Sequence, residues 1–310
     1  MRRFAVVAVA VAIALLTTAC EMDGGTATLT VKLTDAPVDA DSIEKVWVTF
    51  TGVELVGAGA ASGEDTSWEL DPELGVDLLE LTNGNTTTLL DAVPLPAGTY
   101  SQMRFTVALE EEGAGAPATP ASYVTVDGQN EALFVPSGAQ SGYKAVFDGA
   151  VDVPANGEVS FVVDWDVRKA LVEAGSRYIL KPTFRVVVED QAGRIAGSIT
   201  NPGTEPLVVF AYAAGTYEAE EADAPTGEDS WFPGAISSDL VEDDGTGEYG
   251  FQIWYLAEGD YDLVVASYDD DLDTYTVVAS PLAGSAVYVE ELSGVTVVSG
   301  ETTGGISITL

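Results

Sequence analysis

Four groups of residues in this chain have types and spacings that could support chemistry. In Asp269-Asp270-Asp271-Leu272-Asp273, the alternate residues Asp269, Asp271 and Asp273 could present three carboxylates to a hard cation such as calcium. The run departs from an EF-hand loop, since Thr274 and Ser280 stand where the glycine and the closing glutamate belong. A solvated acidic turn between Tyr268 and Tyr275 is therefore the simpler expectation. Ser141-Gly142-Tyr143-Lys144 has the S-x-x-K spacing in which a lysine activates a serine, but that chemistry needs the serine at a helix start and S-D-N and K-T-G partners. The sequence around it reads as a glycine-flanked turn before a strand. The third group, Asp35, Asp164, Asp166, Arg168, Lys169, Lys181 and Arg185, is a polar cluster that either lines a groove or forms internal ion pairs fixing a helix to a sheet. The structural role is the expectation, because charges beside short connections pair locally.

The fourth group is a single thiol. Cys20 closes an apolar run, Phe4 to Leu16, that follows Arg2-Arg3 and ends in Thr17-Thr18-Ala19. A positive start, a short apolar segment and small residues before a boundary describe an export signal. The apolar run is shorter than the roughly 20 residues a helix needs to span a bilayer. Residues 1–19 are thus expected to be a lipoprotein signal peptide, with Cys20 acylated and residues 20–27 a lipidated tether. The expected location is extracytoplasmic, lipid-anchored to the cell envelope, on an outer membrane where the cell has one.

Composition narrows the rest. The chain has no histidine, and with Cys20 acylated no thiol remains, so the commonest general base and the usual zinc ligands are missing. Asp plus Glu number 50 against 12 Lys plus Arg, a net charge of −38, and every basic residue lies at or before Arg194. Residues 195–310 carry 22 acidic side chains and no Lys or Arg. Such a surface repels phosphate backbones, which excludes nucleic acid as a partner. It suits a salty medium, where ions screen its self-repulsion, so halophilic adaptation is the expected reason for it.

The elements that must position these groups are strands. Leu29 to Leu33, Val46 to Phe50 and Tyr123 to Val126 alternate apolar and polar residues with period two. Further strands are expected at Gln102 to Leu109, Glu158 to Val163, Thr183 to Glu189, Leu207 to Ala213, Gly250 to Tyr255, Tyr261 to Tyr268, Thr274 to Ala279, Ala286 to Glu290 and Ile306 to Leu310. Asn83-Gly84 and Pro96-Ala97-Gly98 mark turns. Val167, Ala170, Leu171 and Ala174 fall at helical spacing between Asp166 and Gly175, which predicts one short helix near 166–174. The phrase Leu-x-x-Gly-x-Tyr occurs at Leu95 to Tyr100 and at Leu256 to Tyr261, predicting a similar hairpin with a buried tyrosine in each half. The fold class is all-β: two β-sandwich domains, Ig-like or transthyretin-like, over residues 28–191 and 192–310.

Six ordered landmarks carry a resemblance: Leu33 to Pro37, Val46 to Phe50, Leu95 to Tyr100, Val135 to Lys144, Asp164 to Lys169 and Leu180 to Val186. Over about residues 28 to 190 the chain resembles a secreted prokaryotic lipoprotein domain of unknown function. That resemblance implies a β-rich extracytoplasmic domain with no established reaction or ligand. From Gly193 onward, Gly197-x-Ile199, Tyr249-x-Phe251 and Leu256-x-x-Gly259-x-Tyr261-x-Leu263 are similar to a carboxypeptidase-regulatory or transthyretin-like β-sandwich, a kind of module that serves as a spacer or binding domain.

The sequence therefore points to a non-catalytic binding or structural module at the cell envelope, adhesion included. It is held to the membrane by its N-terminal lipid and contacts polysaccharide or an envelope protein, with no cofactor unless calcium binds. The alternative from another class is a carboxylate-dependent hydrolase of envelope or extracellular glycans, which would show two buried carboxylates about 5–10 Å apart in a concave pocket. Trp47, Trp68, Trp165, Trp231 and Trp254 could stack on sugar rings if exposed, although the strand alternation at Trp47 and Trp254 favours packing.

Overall fold

The structure is a computed structural model that describes residues 25–35, 43–58, 66–108, 121–134, 142–175, 177–225, 230–243, 248–269 and 274–310. Alternation of buried and exposed residues builds its strands. In the first half these are β1 (Thr26–Thr34), β2 (Ile43–Gly57), β3 (Thr66–Asp77), β4 (Thr87–Pro96), β5 (Gly98–Val107) and β6 (Tyr123–Val126). They continue with β7 (Gln129–Phe134), β8 (Tyr143–Val153), β9 (Glu158–Trp165), the single helical turn α1 (Val167–Ala170), β10 (Leu171–Ala174), β11 (Arg177–Leu180) and β12 (Phe184–Val188). One sheet has the order β12-β9-β1-β4. The other runs β10-β11-β7-β6-β2-β5-β8, with β3 also paired to β2. Between them lies one core in which Trp165 contacts Phe50, Tyr143 and Phe184 at ring-centroid distances of 6.2, 4.6 and 4.5 Å.

The second half holds β13 (Gly193–Thr200), β14 (Leu207–Ala213), β15 (Ser237–Leu240), β16 (Glu242–Asp243), β17 (Tyr249–Leu256), β18 (Gly259–Asp269), β19 (Thr274–Ala279), β20 (Val295–Val297) and β21 (Thr302–Thr309). Its sheets have the orders β16-β17-β13-β21 and β15-β14-β18-β19, with β20 paired to β18. A core including Ile195, Val209, Ile253, Leu263 and Ile308 fills the space between them. β14 is buried on both faces, which is why it reads as an unbroken apolar run. Its outer face, with Phe210 and Tyr212, is covered by Tyr217, Phe232 and Ala235. No ladder among the described strands joins the two sides of residue 192. Among the described residues no helix is long and apolar enough to cross a membrane.

The all-β class and its strand-rich sandwiches match the expectation. The short helix is present where expected, and two local elements are shorter than their expected spans. The helix expected near 166–174 is one turn, Val167–Ala170, because Leu171 to Ala174 turn away and pair antiparallel with Leu180 to Arg177. Gly175, at φ 70°, shapes that hairpin turn and is not a helix stop. The strand expected at Ala286 to Glu290 is reduced to one bridge, between Tyr288 and Ser280, followed by a 3-10 turn at Glu290–Leu292.

The repeated tyrosine phrase has a physical purpose. Tyr100 and Tyr261 are both buried, and each hydroxyl donates back to a carbonyl four residues earlier, Tyr100 to Pro96 at 2.7 Å and Tyr261 to Ala257 at 2.9 Å. Each bond locks a hairpin corner. Tyr100→Phe and Tyr261→Phe are each expected to cost about 1 kcal/mol in denaturant unfolding, the usual worth of one such bond.

Candidate functional site

The polar cluster expected from the sequence assembles around α1. Asp166 caps the turn, its Oδ1 accepting from the Lys169 backbone N–H at 3.3 Å, and Asp35 Oδ1 accepts from Val167 N–H at 2.9 Å. The other oxygen of Asp166 pairs with Arg168 Nη2 at 3.0 Å and Lys169 Nζ at 3.3 Å. Asp164 on β9 pairs with Arg185 on β12, the two residues lying opposite each other in the ladder. Lys181 enters through its backbone: its N–H donates to Ala170 O at 2.7 Å, and its carbonyl accepts from the Trp165 indole at 3.0 Å.

The three cations also reach across residue 192. Arg168 Nη1 donates to the carbonyls of Trp231 at 2.6 Å and Phe232 at 3.2 Å, and its guanidinium lies 5.2 Å from the Phe210 ring. Lys169 Nζ donates to Ala235 O, and Arg185 Nη1 to Tyr255 O. Two of the acceptor residues, Phe232 and Tyr255, hold left-handed backbones with φ 48° and 53°. Bulky residues rarely adopt that conformation, which costs about 1–3 kcal/mol. Here it accompanies carbonyls turned toward a guanidinium from the other half. The arrangement is electrostatically complementary, because Arg194 is the second half's one basic residue and the cations that bind these carbonyls come from the first.

Around these contacts the seam is tightly packed. Tyr255 O–H donates to Gly84 O at 3.0 Å, and Asn83 Nδ2 donates to Glu242 Oε1 at 3.0 Å. Asn83 and Gly84 form the expected turn with φ 57° and 75°, and a Cβ on Gly84 would come within 2.5 Å of the Trp254 ring. The Arg194 guanidinium lies 4.3 Å from the centroid of that indole. One cavity of about 10 Å³, room for a single water, is lined by Asp35, Asp164, Ser238 and Asp239 among others.

Burial governs protonation here. Asp164 is only 3% exposed, and desolvation raises its pKa, opposed chiefly by Arg185. Lys169 is lowered, also by desolvation first, with Asp166 pulling the other way. Asp239, 4% exposed on β15, is pushed up to about 7 by burial, although its Oδ2 accepts from Gln252 N–H at 2.6 Å.

Asp239 also lines a hollow of about 370 Å³ beside the seam, with Glu242, Asp243, Glu248, Tyr249 and Trp254. The three other carboxylates there belong to exposed residues, so the hollow pairs one buried acid with solvated ones. Among the described residues no group of three or more acidic or other metal-ligating side chains converges to hold an ion. Asp269 ends β18, whereas Asp271 and Asp273 lie outside the described residues, as do Cys20 and Ser141. Tyr143 and Lys144 open β8. Of the tryptophans, Trp165 is fully buried and the other four are half-buried, with Trp47 stacked on Tyr123 at 6.2 Å.

A family model described as a domain of unknown function, DUF4382, matches residues 26–182. The chain belongs to that family. The DUF4382 region supplies Asp35, Asp164, Asp166, Arg168 and Lys169, while Arg185 and the carbonyls that Arg168, Lys169 and Arg185 reach across the seam lie beyond it. No curated protein matches the chain. Among solved structures, it is similar to a protein of Bacteroides ovatus designated an adhesin, at 11% identity and TM-score 0.20, covering 91% of this chain and 87% of that one. It is also similar to the fimbrial anchor protein Mfa2 of Porphyromonas gingivalis, at 11% identity and TM-score 0.18, covering 80% of each chain. A third is the major pilin of Streptococcus pyogenes, at 11% identity and TM-score 0.17, covering 93% of this chain and 99% of that one.

Sequence reasoning found the charged residues of the seam and missed their acceptors. Backbone carbonyls leave no trace in side-chain identity. The available signal was the charge asymmetry, six of the ten basic residues after Cys20 lying between Lys144 and Arg185 and none beyond Arg194.

Proposed function

We propose that this DUF4382 protein is a lipid-anchored component of the cell envelope that works as a non-catalytic binding or structural module. In this reading residues 28–191 and 192–310 are two domains, the second of carboxypeptidase-regulatory type, joined by a charged clasp. The observation that supports it is how the cations of the polar cluster are used. Arg168, Lys169 and Arg185 each bind a carboxylate on one side and a backbone carbonyl of the other half on the other. Side chains that could have lined an open groove are thereby committed to holding two sandwiches together, which suits a rigid element that presents a surface. The hydrolase alternative draws on Asp239, a buried acid near neutral pKa beside Trp254. It would need a second buried carboxylate in that hollow, and Glu242, Asp243 and Glu248 are exposed.

The anchor is tested on protein from its native cells. Wild type is expected in the detergent-extracted membrane fraction with a diacylglyceryl thioether at Cys20 by mass spectrometry, and Cys20→Ser in the soluble fraction. Equal partitioning of the two would contradict the anchored reading.

A further inference from the structure

Asp239 stands where the two halves meet. With Asp35 and Asp164 of the first half it lines the seam cavity of about 10 Å³, and the three residues are 4%, 5% and 3% exposed. It also lines the hollow of about 370 Å³, to which the first half contributes Asn83. Part of what keeps water from its carboxyl is therefore the first half.

The charge around it is one-sided. From its own half the titratable groups sharing these two spaces are Glu242 and Asp243 on β16, Glu248, and Tyr249 and Tyr255 on β17. From the other half they are Asp35 and Asp164. Among the described residues no Lys or Arg lines either space. The nearby cations are engaged by other groups: Arg185 by Asp164 and the Tyr255 carbonyl, Arg168 and Lys169 by Asp166 and the carbonyls of Trp231, Phe232 and Ala235. What Asp239 receives is the backbone N–H of Gln252, a neutral donor. A charge on it in the closed seam is buried without a cation beside it.

We propose that Asp239 is a proton-operated latch on the seam: protonated, it lets the two sandwiches close over a dry cavity, and ionised, it favours a state in which the folded halves part and water reaches the carboxylate. Burial holds its pKa up to about 7 in the closed form, whereas the hydrated carboxyl of the open form titrates near the ordinary value of about 4. Between those values the closed form binds more protons, so the opening constant grows as pH rises and levels off above about 7. Linkage over this range sets a ceiling of about a thousandfold, of which about a hundredfold falls between pH 5 and 8. Asp164 is raised by the same burial, but Arg185 opposes the shift. The latch rests on the clasp reading and adds its regulation. It also goes beyond a pH-dependent overall stability, since unfolding would expose Asp239 without any separation of folded halves.

Amide hydrogen exchange of the full chain from pH 5 to 8, corrected for the intrinsic pH dependence of exchange, separates the two cases. The Gln252 and Val167 amides, which donate to Asp239 and Asp35, report on the seam, and the β1–β9 and β14–β18 ladders report on unfolding of each half. The seam amides are expected to exchange through an opening that leaves both ladders protected. Its constant should rise about a hundredfold over this range in wild type and less than about twofold in Asp239→Asn. Glu242→Gln removes an exposed carboxylate that adds to the shift, so it should lower the pH at which the rise levels off, and it serves where Asp239→Asn fails to fold. Seam amides that open only together with the ladders, or a rise left intact in Asp239→Asn, would overturn the latch and leave the clasp standing. Seam amides already unprotected at pH 5 would overturn both.

Discussion

Arg185→Met is expected to destabilise the protein by about 3–5 kcal/mol, the range for removing one partner of a buried ion pair. The cause is Asp164. That side chain is almost wholly buried, its Oδ1 has no hydrogen-bond partner, and its Oδ2 depends on Arg185. Without the guanidinium, the carboxylate must take up a proton or remain charged in a dry site, and Tyr255 O loses its donor from the first half. Replacing both partners, Asp164→Leu with Arg185→Met, should recover much of the loss, because no uncompensated charge is then left inside. Urea unfolding of the four members of this double-mutant cycle measures the coupling, expected at about 1–3 kcal/mol for contacting residues. A single variant as stable as wild type would show that the pair lies in solvent.

Asp239→Asn should stabilise the protein at pH 8 by on the order of 2–4 kcal/mol and leave it nearly unchanged at pH 4. Asp239 holds its proton up to about pH 7 when folded, because burial disfavours the charge and Glu242 adds to that effect. Unfolded, it releases the proton near the ordinary aspartate value of about 4. Between those two pH values the folded state binds more protons than the unfolded state, so this group makes stability fall as pH rises through the window. Below about pH 4 both states are protonated and the contribution vanishes. Asparagine mimics the protonated acid, can still accept from Gln252 N–H, and does not titrate. Thermal unfolding of both proteins from pH 4 to 8 checks this, and parallel curves for the two would refute it.

How much of this was legible in the residues depends on which force sets each feature. Leu207 to Ala213 and Thr274 to Ala279 are strands over the residues that periodicity marks, because their apolar side chains pack into the cores of the second half. β3 escaped notice: its exposed Glu69, Asp71, Pro72 and Glu73 break the alternation, and the strand exists because β2 is long enough to pair with it. The spacing of Val167, Ala170, Leu171 and Ala174 satisfied a helix, yet tertiary pairing of β10 with β11 decided the outcome. The polar cluster was visible as charges concentrated before Arg185 in a cation-poor chain. Its role as a joint was not, because Phe232 and Tyr255 contribute only carbonyls, set by left-handed backbones no composition encodes.

The most direct test of the clasp is differential scanning calorimetry of the full chain at pH 7 beside the Arg168→Met/Arg185→Met variant. If the seam couples the two sandwiches, wild type melts in one cooperative transition, and the variant splits into two as each half unfolds independently. Two transitions already present in wild type, or a single unshifted transition in the variant, would contradict it.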